Sequence, residues 1–291
     1  MNHFGEISLL TNIAKPTACV ITNIGTAHIG LLGSRENILK AKLEILEGLK
    51  ENGVVIINND NDLLHKWYIE NKEKYNIYTY GIENKSNYMA TNIKEENKTE
   101  ENKTTYLING TRAQNSMPGL HFIYNSLSAY AVGDILKIDK NKIIEGINTF
   151  QLTSKRMDIK IIKNNIKIIN DSYNPSYDSM KAALEIMKKE VSRRKIAVLG
   201  NMLELGEFSK DLHRKVGEEV VKNDIDILIT VGDLAKEIAN RARQLNMKNI
   251  YTYDNIEEAS NYLKSIMKEN DVILLKASNS MNFSKILEYI K

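Results

Sequence analysis

The second half of the chain repeats one pattern: a short apolar run, a polar turn, then a stretch with helical spacing. Ile166–Asn170, Ile196–Gly200, Ile227–Val231, Ile250–Tyr253 and Val272–Lys276 read as strands. Helical patterns fill the intervals at Ser179–Lys189, Leu212–Lys222, Leu234–Leu245 and Ile256–Lys268, with a last one near Ser284–Ile290. Parallel strands need long crossovers, and runs that are apolar throughout need cover on both faces. The alternation therefore predicts an α/β fold, a parallel sheet doubly wound by helices. Ligands of such sheets sit outside the carboxyl ends of the strands. There the sequence carries Asp171-Ser172-Tyr173-Asn174, Asn201-Met202-Leu203-Glu204, Gly232-Asp233, Asp254 and Lys276-Ala277-Ser278-Asn279.

The first half reads as a strand (Thr17–Thr22), a loop (Asn23–Gly33), a helix over Ser34–Leu49 and a strand (Val54–Asn58) entering Asn58-Asn59-Asp60-Asn61-Asp62. Glu83–Thr105 is rich in Asn, Lys, Glu and Thr, the composition of a linker. Alternating pieces at Tyr88–Ile93 and Thr104–Ile108 favour exposed strands of a meander. Pro118-Gly119-Leu120-His121 leads into a helix over Tyr124–Leu136, and a short helix over Lys142–Thr149 precedes Leu152–Asp158. At 291 residues two domains are expected, 1–152 and 153–291.

Lys42 is the residue out of place. Ile38, Ile45, Leu46 and Leu49 define an apolar face on the Ser34–Leu49 helix, and Lys42 lies four residues from Ile38, three from Ile45 and four from Leu46. An ammonium projecting from that face must be neutralised, paired, chemically modified, or carried to water on its flexible stem. Carbamylation by carbon dioxide would turn it into a carboxylate-like oxygen ligand of the kind Mg²⁺ accepts. The preceding loop, Thr22-Asn23-Ile24-Gly25-Thr26-Ala27-His28, offers Asn23 and His28 at the carboxyl end of a strand.

Composition narrows the function classes. A net charge of +3 gives no argument for nucleic acid or a membrane surface as partner. The single cysteine, Cys19, excludes a disulfide framework and suits a reducing, cytoplasmic compartment. No stretch reaches the roughly 18 apolar residues of a membrane span. The sequence contains neither G-x-x-x-x-G-K-[ST] nor G-x-G-x-x-G, and it lacks H-E-x-x-H, a Cys/His zinc pattern and a G-x-S-x-G elbow.

Thr22–His28, Ala41-Lys42, Asn58–Asp62, His121 with Asn125, Arg156-Met157, Asn170–Asn174 and Met202–Gly206 occur in the order and spacing of the Mur ligases, which this chain resembles along essentially its whole length. Asn-Asp-Ser-Tyr-Asn and Met-Leu-Glu-Leu-Gly are similar to the type that joins D-alanyl-D-alanine to UDP-N-acetylmuramoyl-tripeptide in peptidoglycan synthesis. The resemblance implies the remainder of a central ATPase domain followed by a C-terminal Rossmann-like domain, with ATP and Mg²⁺ as cofactors. It also implies an amide ligation: a carboxylate attacks the γ-phosphate, and an amine then displaces phosphate from the acyl phosphate. Lys42 then resembles a carbamylated lysine that helps hold Mg²⁺, and His28 a Mg²⁺ ligand. Asn23 resembles an asparagine near the phosphates, Asn58 a residue meeting adenine, and Arg156 an arginine reaching the γ-phosphate. Asp171 resembles a ribose-binding acid, and His121, Asn125 and Asn174 match further nucleotide-site positions.

Departures accompany the resemblance. The family's uridine-binding domain, phosphate loop and metal-binding glutamate have no counterpart in the sequence, so the chain reads as lacking an N-terminal half. It is expected to be inactive alone. Phe122 replaces an Asn after His121, Asn201 the Asp of Gly-Asp-Met, and Ala277 and Asn279 alter Lys-Gly-Ser-Arg; Pro175-Ser176-Tyr177 replaces Ala-Asn-Pro. Two alternatives stand beside the ligase: a non-catalytic remnant or partner-binding module of the same fold, and a related ligase of the folylpolyglutamate or cyanophycin type.

Overall fold

The computed structural model describes residues 1–97, 102–116, 118–151, 156–190 and 193–290, which form two units, Met1–Gln151 and Leu152–Lys291. Residues 152–155 of the Leu152–Asp158 segment and 98–101 of the Asn/Lys/Glu-rich stretch lie outside the described residues.

In the first unit the elements are α1 (Glu6–Ala14), β1 (Ala18–Ile21), α2 (Ile29–Leu32), α3 (Arg35–Leu43), β2 (Val54–Asn58), α4 (Asp62–Asn71), β3 (Asn76–Gly81), β4 (Tyr88–Asn97), β5 (Asn102–Ile108), β6 (Thr111–Asn115), α5 (Leu120–Ile135) and α6 (Lys140–Asn148). The strands form one sheet in sequence order. β1 to β4 run parallel and β4–β5–β6 antiparallel, so the polar stretch after Gly81 is indeed a meander. Tyr106, Ile108, Ile123 and Leu127 are among the buried side chains that join the sheet to α5. Gly133 lets α6 approach α5: a Cβ there would stand 2.8 Å from Ile143.

The helix expected over Ser34–Leu49 breaks in two. Ser34 caps α3, its hydroxyl accepting from Asn37 N at 3.1 Å, and α3 ends at Leu43, where Glu44–Gly48 tighten into a 3-10 turn. Three residues per turn instead of 3.6 rotates the later side chains off the α-helical stripe. Ile38 and Ala41 are buried, but Ile45, Leu46, Leu49 and Lys42 itself are only half-buried. Lys42 therefore sits at the end of a helix, not at the centre of a long apolar face.

The second unit contains β7 (Asp158–Ile162), β8 (Ile166–Asn170), α7 (Tyr177–Lys188), β9 (Lys195–Gly200), α8 (Ser209–Lys222), β10 (Ile227–Val231), α9 (Lys236–Gln244), β11 (Ile250–Tyr253), α10 (Ile256–Ile266), β12 (Val272–Lys276) and α11 (Ile286–Tyr289). The sheet order is β11-β10-β9-β12-β8-β7. Every pairing is parallel except β7 with β8, a hairpin strand that the sequence reading missed. β8, β10 and β12 are buried at every residue, as strands covered on both faces must be. No helix among the described residues is long and apolar enough to cross a membrane.

Candidate active site

In the first unit the loop after β1 is held from three sides. Asn61 caps α4 with its Oδ1, and its Nδ2 donates to Asn23 Oδ1 at 3.0 Å and to the Ile24 carbonyl at 3.3 Å. Arg35 donates to the Ile24 carbonyl at 2.8 Å while its guanidinium pairs with Asp62 at 2.5 Å. Lys42 Nζ donates to the Asn23 carbonyl at 2.6 Å. The structure thus joins Lys42 to Asn23, two of the residues singled out from sequence. A carbonyl oxygen accepts the ammonium's hydrogen without cancelling its charge, and burial holds the Lys42 amine below the ordinary lysine range. His28 precedes α2 in a left-handed backbone conformation, φ 63°.

The Asn58–Asp62 run is mostly scaffold. The Asn58 side-chain oxygen accepts from Asp60 N at 3.0 Å. The Asp60 carboxylate accepts from the backbone amides of Ile82, Glu83 and Asn84 and from the Tyr124 hydroxyl at 2.9 Å. Burial pushes Asp60 up, but these donors outweigh it and hold the carboxyl below its usual range. The Tyr124 bond anchors the first turns of α5, where the His121 and Phe122 rings lie 4.1 Å apart, tilted by 42°. Asn125, one turn further, is exposed and lines a cavity of about 370 Å³ between α5 and α6 whose walls include Phe122, Ile143, Ile147 and Phe150.

In the second unit Asp171 follows β8 and forms an ion pair with Lys276 at the end of β12; Lys276 is 2% exposed. The other Asp171 oxygen accepts from Met157 N at 3.2 Å. The Arg156 guanidinium lies 4.2 Å over the Tyr173 ring. Asn174 is exposed in the turn leading to α7. One unit thus carries Asn23, His28, Lys42, Asn58, His121 and Asn125, and the other carries Arg156, Asp171 and Asn174.

The Asn201–Gly206 loop depends on a residue that the sequence reading passed over. Met202 N donates to His213 Nε2 at 3.0 Å, and His213 Nδ1 meets the Ser209 carbonyl at 2.6 Å. These bonds require a neutral ring protonated on Nδ1. Burial pushes the imidazole down, against a smaller upward pull from the Ser209 carbonyl. Leu203 N donates to Ser278 Oγ at 3.1 Å, and Asn201 Oδ1 accepts from Ala235 N at 2.9 Å. A signal existed: His213 stands three residues before Val216 and seven before Val220, on the buried stripe of α8. Lys276 and Tyr173, by contrast, carry no local mark of their partners.

Polar groups gather at the strand ends of two α/β units, the place where ligands of such folds bind. The family model described as the Mur ligase middle domain matches residues 1–133, and the one described as the Mur ligase, glutamate ligase domain matches residues 155–279. The chain is 34% identical to a UDP-N-acetylmuramoyl-tripeptide–D-alanyl-D-alanine ligase of Bacillus subtilis over 99% of its own length and 62% of that protein. It is 32% identical to the same-named ligase of Rickettsia prowazekii, covering 64% of it. Among solved structures, the MurF ligase of Thermotoga maritima in complex with ADP superposes with a TM-score of 0.85 at 25% identity, covering 99% of this chain and 65% of that one. MurF of Acinetobacter baumannii shares the fold with a TM-score of 0.88 at 24% identity, covering all of this chain and 63% of that one. The chain belongs to the Mur ligase family, of which it carries the middle and glutamate ligase domains. It spans less than two thirds of the length of the relatives it matches.

Proposed function

We propose that this chain is the larger part of an ATP-dependent ligase that adds D-alanyl-D-alanine to UDP-N-acetylmuramoyl-tripeptide in the cytoplasm. The observation that carries the reading is the 34% identity, sustained over 99% of the chain, to a ligase with that name. A substrate carboxylate attacks the γ-phosphorus of ATP and ADP leaves; the amine of D-alanyl-D-alanine then attacks the acyl carbon and phosphate leaves. Such chemistry asks mainly for positioning and for cations near developing charge.

The residues take the roles that the family resemblance implies, and some of their settings support those roles. Burial enlarges the neutral fraction of the Lys42 amine, the form that attacks carbon dioxide; the N–C bond forms, a proton passes to solvent and a carbamate results. Among the described residues no three His, Cys, Asp or Glu side chains stand together as a metal cage. Mg²⁺ is commonly held by one or two side chains with water and substrate phosphates, so a Lys42 carbamate and His28 fit as the protein's share. Bound there, Mg²⁺ would neutralise phosphate charge. Asn23 lines the same loop, Asn58, His121 and Asn125 serve the base, and Asn174 adds a polar group near the nucleotide. Arg156, stacked on Tyr173, serves the γ-phosphate, and Asp171, clamped by Lys276, accepts from the ribose.

The test has two arms, each reading phosphate release and the UDP-linked pentapeptide by mass. The 291-residue chain alone is expected to release none; robust turnover would refute that expectation. A fusion supplying the portion of the Bacillus subtilis ligase that this chain does not span is expected to make the pentapeptide. A well-folded but inactive fusion would favour the non-catalytic module.

A further inference from the structure

The end of β6 carries a polar side chain in an apolar setting. The strand alternates so that Ala113 and Asn115 share its buried face, the face that α5 and α6 cover. Asn115 is 8% exposed, and neither its side-chain oxygen nor its nitrogen has a hydrogen-bond partner among the described residues. The Tyr106 hydroxyl, on a side chain 1% exposed, is without a partner too. Burial pushes that hydroxyl up, against smaller downward pulls from Ser126 and Asn115, so the three groups are neighbours. Ser126 is turned away, its hydroxyl donating to the Phe122 carbonyl at 2.9 Å. A buried carboxamide with both ends unused is uncommon, because nothing compensates the water it gave up. For stability alone, an apolar side chain of the same size would serve better at this position.

Asn115 and Ser126 both line the cavity of about 370 Å³ between α5 and α6. Its other walls are mainly hydrocarbon, from Phe122, Ile138, Ile143, Ile147 and Phe150. A Cβ on Gly146 would meet nothing within 4 Å, so the α6 wall stands open where a side chain would fill it. One water takes roughly 30 Å³ of liquid, about a tenth of this space, and hydrocarbon walls offer it few bonds. The carboxamide presents an acceptor and a donor side by side. Its complement is an edge with a donor and an acceptor side by side, as in a lactam.

We propose that this cavity is a binding site for a small, mainly apolar molecule whose amide-type edge pairs with the Asn115 carboxamide. The edge supplies both missing partners, and the apolar body lies against the Phe122, Ile143 and Ile147 side chains, which already exclude water. Asn125, read above as serving the base, lies exposed at the rim. The site is built on Asn115 and the apolar walls, to which that reading gives no part.

The test titrates the 291-residue chain with isoquinolone, a bicyclic lactam, and with its N-methyl derivative, which lacks the donor. Calorimetry should show the lactam binding on the order of 10-fold more tightly than the methylated form. The side-chain amide resonances of Asn115 should shift as the lactam saturates the chain. Asn115→Leu, which removes the polar edge at similar volume, should leave the chain folded and bring the two affinities together. Gly146→Met should fill the cavity and abolish binding of both. The proposal is overturned if the lactam does not bind and Asn115 holds water only, or if the two compounds bind equally to the unsubstituted chain. It is overturned as well if the preference survives Asn115→Leu, if Gly146→Met binds undiminished, or if ADP displaces the lactam, which would assign the cavity to the nucleotide. Binding is read without a ligase assay, so its failure is distinct from failure of the ligase reading.

Discussion

Two lysines divide the molecule's electrostatics between its units. Lys276 is almost wholly enclosed at the end of β12 and meets the Asp171 carboxylate. Lys42, half-buried at the end of α3, meets a neutral carbonyl. In the first case both charges lose water and each compensates the other. In the second, one charge loses water and gains a dipole, so burial depresses its affinity for a proton. The contrast separates a lysine paired with a carboxylate from one that meets only a neutral dipole.

The comparison breaks most sharply at Lys276. Lys276→Met strands Asp171 without its counter-charge and should destabilise the second unit by about 3–5 kcal/mol, read by urea denaturation. Adding Asp171→Leu should recover much of that loss; no recovery would mean the lysine matters for packing and not for pairing.

A neutral buried base gives the next largest effect. His213→Ala removes the acceptor of Met202 N and leaves a cavity, at a cost of about 2–4 kcal/mol in the same assay. Above the ordinary imidazole pKa of about 6.5 the ring is neutral in both folded and unfolded chains. Because the folded value is depressed, the unfolded chain gains a proton as pH falls below that point while the folded chain refuses it. Stability should therefore drop on acidification through that window, by at most about 1.4 kcal/mol per pH unit, and the slope should shrink in His213→Gln.

Lys42 should give the smallest effect. Lys42→Met removes a bond to the Asn23 carbonyl and a partly desolvated charge, which nearly offset each other, so stability should change by less than about 1 kcal/mol. The depressed amine opposes folding while it stays protonated. That penalty fades as pH rises toward the ordinary lysine value of about 10.4, and any gain from the substitution should fade with it. A loss above about 3 kcal/mol would place Lys42 with Lys276 as a structural ion.

Legibility followed sequence range. β2, β8, β10, β11 and β12 fall where their apolar runs placed them; for β8, β10 and β12 the reason is that a strand buried on both faces has a local signature. The meander was visible in two alternating pieces. α1 escaped notice because it wears its apolar side outward, and β7 because two of its five residues are charged and it lies at an edge. The single long helix through Lys42 was misjudged because Ile45, Leu46 and Leu49 keep a helical spacing that a 3-10 turn also tolerates over a few residues.

The sequence by itself determined the α/β class and the polar groups at strand ends, since both rest on periodicity and short-range motifs. The tertiary structure alone decided what each polar group meets. It gave Asp171 to Lys276, 105 positions away, Met202 N to His213, and the Lys42 ammonium to a carbonyl across a loop. Partners at such separations are set by how strands and helices stack, and stacking is a property of the whole core that no local window contains.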